Sequence, residues 1–269
     1  MGSWTLEEPT TLTFDQVRRL RVGTVEGTVS VVGGDGPPTL EVSELAGAPL
    51  QVRLEDGQLE VDYERPEGRG PLAWLTDWHL RYRAALSLRL PRDCQVELRV
   101  VSASVMVTGL RGPVRARSVS GEITLAGLHG QVEAETVSGT VQASGVAGDL
   151  SAHSVSGDLT LVEGGGGAVR ARTVSGAIAV DLRASGDREI RLSSISGDLT
   201  VRLPDASDLQ VQLQSTGGQV ATAFEELARE RAPGMHAVHG RLGAGTGRLK
   251  ATSTSGHVAL LRGAPEASL

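Results

Sequence analysis

The chain of 269 residues holds one cysteine, Cys94. An internal disulfide is therefore impossible, and cysteine usage gives no sign of an oxidising compartment. Aromatic residues are scarce, with three tryptophans, two tyrosines and two phenylalanines. So few rings suit a narrow core of repeated aliphatic layers. Lys250 is the only lysine, and the other basic residues are arginines. The formal net charge of −6 means that bulk electrostatics do not favour nucleic acid or an anionic membrane surface. No stretch approaches the roughly 20 apolar residues of a membrane-spanning helix. The opening residues Met1-Gly2-Ser3-Trp4-Thr5-Leu6-Glu7-Glu8 have neither a basic start nor an apolar run. No signal peptide is expected there, and as written the chain is expected to be cytoplasmic. Association with the cell envelope would require that a leader has been removed.

Glycine is what the chain has in excess, at 35 residues. Gly121, Gly130, Gly139, Gly148 and Gly157 fall at a constant spacing, and Gly167 and Gly176 continue it with a slip. Alternate beats carry one phrase, as in Ser118-Val119-Ser120-Gly121, Thr136-Val137-Ser138-Gly139 and Ser154-Val155-Ser156-Gly157. It returns as Thr173-Val174-Ser175-Gly176, Ser194-Ile195-Ser196-Gly197 and Ser253-Thr254-Ser255-Gly256. A fixed period of about 18 to 21 residues is the mark of stacked repeats. After each glycine, apolar side chains recur at the second, fourth and seventh positions, as Ile123, Leu125 and Leu128 do after Gly121. The second and fourth share one face of a strand, because strand side chains alternate. The seventh is expected to turn inward after a corner, and the glycine to supply a positive φ there.

Each unit is thus a short strand plus a corner, two units make one coil, and coils stack in parallel at roughly 4.8 Å. The expected fold is all-β: a single-domain parallel β-solenoid, or β-helix, over residues 1–269, with two irregular insertions. Right-handed parallel crossovers predict a right-handed coil. Residues 1–94 read as degenerate coils interrupted by a loop at 64–77, residues 95–204 as regular repeats, and residues 205–269 as C-terminal coils with an insertion at 221–247. In that insertion, Phe224 to Arg231 reads as a short helix. Val119, Val137, Val155, Val174 and Ile195 are expected to form one core ladder, and Ala134, Ala152 and Ala171 another. Gly121, Gly139, Gly157, Gly176, Gly197 and Gly256 are expected at stacked corners. Trp4, Leu6, Leu12 and Phe14 can cover an open end.

The Val-Ser-Gly-Asp/Glu-Leu/Ile-Thr phrases at Val119 to Thr124, Val155 to Thr160 and Ile195 to Thr200 resemble a widespread bacterial family of β-strand repeat domains of unknown function, many of them labelled adhesins. The Leu90-Pro91-Arg92 entry and the stretch Gly247 to Gly256 fit the same pattern. The resemblance implies a repeat fold and an envelope-related role, and brings no catalytic residues with it.

The chemistry-bearing residues read as structural. Asp158 and Asp198 share an outward ladder, but Ala177 separates them, so they are expected as corner residues and not as the carboxylate pair of a glycosidase. Ser120-Gly121 and its copies recur in every coil, which suits hydroxyls bonded to backbone better than a nucleophile. His236 and His239 lie three apart with no cysteine or carboxylate cluster beside them, so no metal site is expected. Gly164-Gly165-Gly166-Gly167 lacks the lysine of a nucleotide loop. No cofactor and no enzymatic activity are expected. Trp74, Trp78 and Tyr82, with Arg81 and Arg83, form a candidate interaction surface. The function expected is a non-catalytic scaffold or protein-interaction module, with a protein partner or self-association and no nucleic acid. The alternatives are a ligand- or peptide-binding sensor using 64–77 and 221–247, and a glycan-active enzyme.

Overall fold

The computed structural model describes residues 2–63, 82–162, 166–182, 187–232 and 234–263. Among them the fold is all-β, with no helix. Contacts divide the chain into two units, Met1–Ile123 and Thr124–Leu269.

The first unit begins with β1 (Gly2–Leu6), β2 (Thr10–Thr13), β3 (Arg19–Thr24), β4 (Glu26–Gly34), β5 (Thr39–Ala46) and β6 (Leu50–Glu55). It continues with β7 (Gln58–Tyr63), β8 (Arg83–Pro91), β9 (Gln95–Val100), β10 (Ser104–Thr108) and β11 (Val114–Ser118), and β12 (Ile123–Ala126) crosses the division. One sheet runs β1-β6-β7-β3-β9-β11 and the other β2-β5-β8-β4-β10. Pairing is parallel along β7-β3-β9-β11 and β8-β4-β10. The strands β1, β2, β5 and β6 join by antiparallel pairs. The expectation of parallel coils throughout the N-terminal half is corrected here: the pairing is mixed. The cause is visible at Asp56 and Gly57, whose φ of 50° and 77° make the two-residue turn that suits a tight hairpin. Glu55 faces Gln58 across it, so the chain reverses instead of coiling on. The lead-in does pack: Leu6 and Phe14 are buried, and the Trp4 ring meets Phe14 edge-on at 5.6 Å.

The second unit holds β13 (Val132–Thr136), β14 (Val141–Ser144), β15 (Leu150–Ser154), β16 (Leu159–Val162), β17 (Val169–Thr173), β18 (Ile178–Asp181) and β19 (Glu189–Ser194). After them come β20 (Leu199–Leu203), β21 (Leu209–Ser215), β22 (Val220–Thr222), β23 (Ala228–Ala232), β24 (Met235–Leu242), β25 (Gly247–Ser253) and β26 (Val258–Arg262). Strands alternate between two sheets, β13-β15-β17-β19-β25-β21-β24-β23 and β14-β16-β18-β20-β26-β22. Every pair is parallel up to β21 and β22. The sequence period reappears as register: Val132 lies beside Leu150, Leu150 beside Val169, and Val169 beside Ile190. Two features depart from simple coiling. The last coil, β25 and β26, slots between β19 and β21 and between β20 and β22. The stretch read as a helix is instead a turn over 224–227 followed by strand β23, paired antiparallel with β24 from Ala228↔His239 to Ala232↔Met235. Five residues of sheet pairing outweigh the weak helical preference of that segment.

The interior is a stack of aliphatic layers. Ala134, Ala152 and Ala171 are fully buried and in register, as expected, and Leu159, Ile178 and Leu199 are buried and in register on the other sheet. The valine ladder is corrected. Val119, Val137, Val155, Val174 and Ile195 are 43%, 47%, 47%, 43% and 53% exposed. The residue before each is the one that turns inward: Ser118, Thr136, Ser154, Thr173 and Ser194 end their strands buried, so alternation sends the next side chain out. The seventh position points in only at the other corner, where Leu128 and Val146 are buried.

The corner glycines stack, but not for their φ. None of Gly121, Gly139, Gly157, Gly176, Gly197 and Gly256 has a positive φ. A Cβ on Gly157 would instead collide with the carbonyl oxygen of Gly139, and Gly176, Gly197 and Gly256 each meet the preceding glycine in the same way. Two substitutions should therefore behave in opposite ways. Gly157→Ala must push two coils apart and is expected to cost on the order of 2–4 kcal/mol. Val155→Asp places its charge in water and should stay within about 0.5 kcal/mol of the parent. Denaturant unfolding of both variants checks this, and a strongly destabilised Val155→Asp would contradict the outward placement.

Candidate functional site

The repeated hydroxyls and carboxylates could be chemistry or structure, and their bonds decide which. The first Ser or Thr of each phrase accepts the N–H of the glycine three residues on. Ser154 Oγ takes Gly157 N at 2.7 Å, Thr173 Oγ1 takes Gly176 N at 3.0 Å and Ser194 Oγ takes Gly197 N at 2.7 Å. The second serine donates to the neighbouring coil: Ser156 Oγ to Val137 O at 3.2 Å, Ser175 Oγ to Val155 O at 3.3 Å and Ser196 Oγ to Val174 O at 3.3 Å. The backbone N–H of the same serines reaches the same carbonyls. Residue Ser215 of Ser215-Thr216-Gly217-Gly218 does as the first hydroxyl does, accepting Gly218 N at 2.9 Å. This copy of the phrase escapes a reading that looks for Ser-Gly.

The carboxylates are similarly employed. Asp158 Oδ1 accepts the N–H of Ala177 at 2.8 Å, and Asp198 Oδ1 that of His257 at 2.7 Å. His257 Nδ1 in turn accepts the N–H of Gln219 at 3.0 Å, in the tautomer with its proton on Nε2. At the opposite corner Asp149 Oδ1 takes Ala168 N at 2.9 Å. Each bond ties a side chain to the backbone of the adjacent coil. Cys94 is buried, and burial pushes its thiol up to about 12, away from nucleophilic use. Among the described residues no three His, Cys, Asp or Glu side chains gather as they would around a metal ion. His239 lies 3.9 Å from Glu230, and His236 stands on the other face of β24.

Of the candidate interaction surface, Trp74, Trp78 and Arg81 lie outside the described residues, as does the loop 64–77. Tyr82 packs edge-on against Tyr63, ring centroids 5.1 Å apart. Arg83 is paired with Glu44 at 3.2 Å and Glu26 at 3.7 Å. The segment 221–247 is mostly sheet, with its hairpin β23-β24 lying along the edge of β21.

The outward rows of this sheet differ in charge between the two units. In the first unit one row across five strands reads Arg53, Glu60, Arg21, Glu97, Arg115, alternating in sign at every step. Arg21 and Arg99 contact Glu97 at 3.2 and 2.6 Å. Burial would raise the Glu97 carboxyl, but Arg99, Arg21 and Arg115 outweigh it and hold the group below its usual range. In the second unit the corresponding row reads Glu133, Ser151, Arg170, Arg191, Lys250, Gln212, His239. Three cations stand side by side there, with Arg172 and Arg248 adjoining them on β17 and β25. The one carboxylate on the outer face of β17, β19 and β25 is Glu189, bonded to Arg191 at 2.6 Å and Arg170 at 3.2 Å. Those contacts, Arg191 foremost, lower its pKa. This face escapes sequence reading because its residues come together only through register and the insertion of β25.

Residues 147–261 match the model of the family described as Toastrack DUF4097, so the family resemblance is shown over that segment. No curated protein matches the chain. Among solved structures, a candidate lipid-binding protein from Parabacteroides distasonis is similar at 15% identity and a TM-score of 0.49, over 97% of this chain and 98% of that one. A candidate cell adhesion protein from Clostridium sporogenes is similar at 12% identity and a TM-score of 0.30, over 95% and 100%. A candidate adhesin from Bacteroides fragilis is similar at 13% identity and a TM-score of 0.39, over 96% and 98%. At these scores the likenesses carry no functional argument. Among the described residues no helix is long and apolar enough to cross a membrane.

The lowered pKa of Glu97 sets a sign for acid stability. A carboxyl whose folded pKa is depressed stabilises the fold above its unfolded pKa, and that contribution is lost as pH falls through the folded value. Glu97→Gln removes the titration. Between about pH 5 and pH 3 the variant should therefore lose less melting temperature than the parent does. Equal slopes in thermal scans across that window would contradict the assignment.

Proposed function

We propose that the chain is a non-catalytic binding scaffold that presents outward side chains in register, one set per coil. The observation that carries this reading is the use of the repeated hydroxyls and carboxylates as ties between coils. The hydroxyls have their protons committed to backbone carbonyls, and one oxygen of each of these carboxylates is held by a backbone N–H, which is the work of a tie between coils. The hairpin β23-β24 lies flat along a sheet edge, which favours a scaffold over a sensor built around a loop-lined cleft. Two displays are available for contact: the exposed corner column Val137, Val155, Val174 and Ile195, and the cationic face on β17, β19 and β25.

Removing a tie should act on stability alone. Ser154→Ala leaves the buried Gly157 N–H without its acceptor and is expected to cost about 1–3 kcal/mol. Asp158→Asn and Asp198→Asn keep an acceptor oxygen and should cost less. Turnover of glycan, ester and phosphate substrates is assayed beside the melts. Any activity abolished by Asp158→Asn, Asp198→Asn or Ser156→Ala at unchanged melting temperature would replace the scaffold with an enzyme.

A further inference from the structure

Resting on the scaffold reading, we propose that the outer face of β17, β19 and β25 binds an extended acidic polysaccharide bearing uronate carboxylates. The face carries Arg170, Arg172, Arg191, Arg248 and Lys250 against the single carboxylate Glu189, a local net of four positive charges in a chain whose formal net charge is −6. Arg172, Arg248 and Lys250 form no ion pair among the described residues. Like charges directly opposite one another on a sheet are unfavourable. The row Arg170, Arg191, Lys250 pairs like with like at two successive strands, whereas the first unit alternates sign along a comparable row. Glu189 bridges the first of these steps, and an anion laid along the row would relieve the second, from Arg191 to Lys250.

Spacing and chemistry narrow the class of anion. Cations recur along the row at the strand separation of about 4.8 Å, close to the advance of one sugar ring in an extended polysaccharide. Four of the five are guanidinium groups, whose planar fork matches a carboxylate with two parallel hydrogen bonds. Between and beside them stand neutral hydroxyl and amide groups suited to sugar hydroxyls: Ser193 and Thr252 on the same strands, and Gln210, Gln212 and Gln214 on β21. No aromatic side chain lies on the outer face of these strands to stack a base, as single-stranded nucleic acid binders use. No large apolar side chain lies there to enter a bilayer. A sheet surface also presents no helix or ribbon to a DNA groove.

Binding of the full chain to polygalacturonate is measured by calorimetry at about 50 and 200 mM salt. Neutral dextran, a DNA duplex and vesicles containing anionic lipid are run alongside. Two variants bear on the face: Arg191→Glu with Lys250→Glu, and the milder Arg172→Gln, Arg248→Gln, Lys250→Gln, which leaves no partner unpaired. The expected result is salt-weakened binding of polygalacturonate and none of dextran. Each variant should lose about tenfold in affinity at unchanged melting temperature, the effect of removing a few exposed charge contacts. Absence of polygalacturonate binding at the lower salt overturns the proposal. So does equal affinity of parent and milder variant, or a duplex or vesicle bound as tightly as the polysaccharide. These failures leave the scaffold reading standing. Shortening of the bound polysaccharide would instead sink the scaffold reading and keep the ligand.

Discussion

At each Ser/Thr-x-Ser-Gly corner, two coils approach so closely that a single added carbon would strike the carbonyl below it. The contact between Gly157 and Gly139 is the pattern, and Gly176, Gly197 and Gly256 repeat it. Closeness of that order removes water from the backbone of the corner, and buried N–H and C=O groups must then find partners within the protein. The preceding Ser or Thr supplies the acceptor for the glycine N–H, and the middle serine supplies a donor to the next coil. The hydroxyls are buried or turned to backbone because the glycines are close, and the glycines can be close because the hydroxyls are there. Aliphatic layers between the sheets provide the bulk of the driving force. The corners set the register in which those layers stack.

That register decides what the surface can show. A strand that ends on an inward hydroxyl must send its next side chain outward, so a valine column faces solvent at this corner while Leu128 and Val146 face the core at the other. The acids after the glycines are drawn into the same arrangement, since each coil offers an otherwise unpaired N–H where Asp158 or Asp198 can reach it. What remains for recognition is the outer faces of the sheets, where side chains are not needed to tie the backbone of one coil to the next and can vary from coil to coil.

The period of glycines and of Ser/Thr-x-Ser-Gly was enough to read the strand-and-corner unit, its parallel stacking in the second unit and the alanine ladder. It was not enough to tell the two corners apart. Both place an apolar residue at the seventh position, and only the buried hydroxyl before Val137 or Val155 shows that this copy faces out. A hairpin signal, Asp56-Gly57 between alternating strands, was present and marks where the N-terminal strands turn antiparallel. Phe224 to Arg231 misled because local helical preference says nothing about the free edge of β21, which the hairpin β23-β24 fills. The position of β25 was beyond sequence reasoning. Neighbouring strands in a sheet need not be neighbours in the chain, and Ser253-Thr254-Ser255-Gly256 fits above Gly197 as well as Ser215-Thr216-Gly217-Gly218 would.

The charge along the two outward rows follows from the same freedom. A row of outward side chains runs across strands drawn from distant parts of the chain, so its charge pattern is a property of register and not of any local sequence. In the first unit the row from Arg53 to Arg115 alternates in sign, and Glu97 sits low in pKa among three arginines despite the burial that opposes it. In the second unit Glu189 alone faces five cations and is held by two of them. Since exposed ion pairs contribute little stability either way, neither pattern is demanded by folding. The repeat tolerates both. The alternating row satisfies its own charges, whereas the cationic row has Glu189 for Arg170 and Arg191 and leaves Lys250, with Arg172 and Arg248 beside the row, without an ion pair among the described residues, and that surplus of charge distinguishes this row as a surface for something else to occupy.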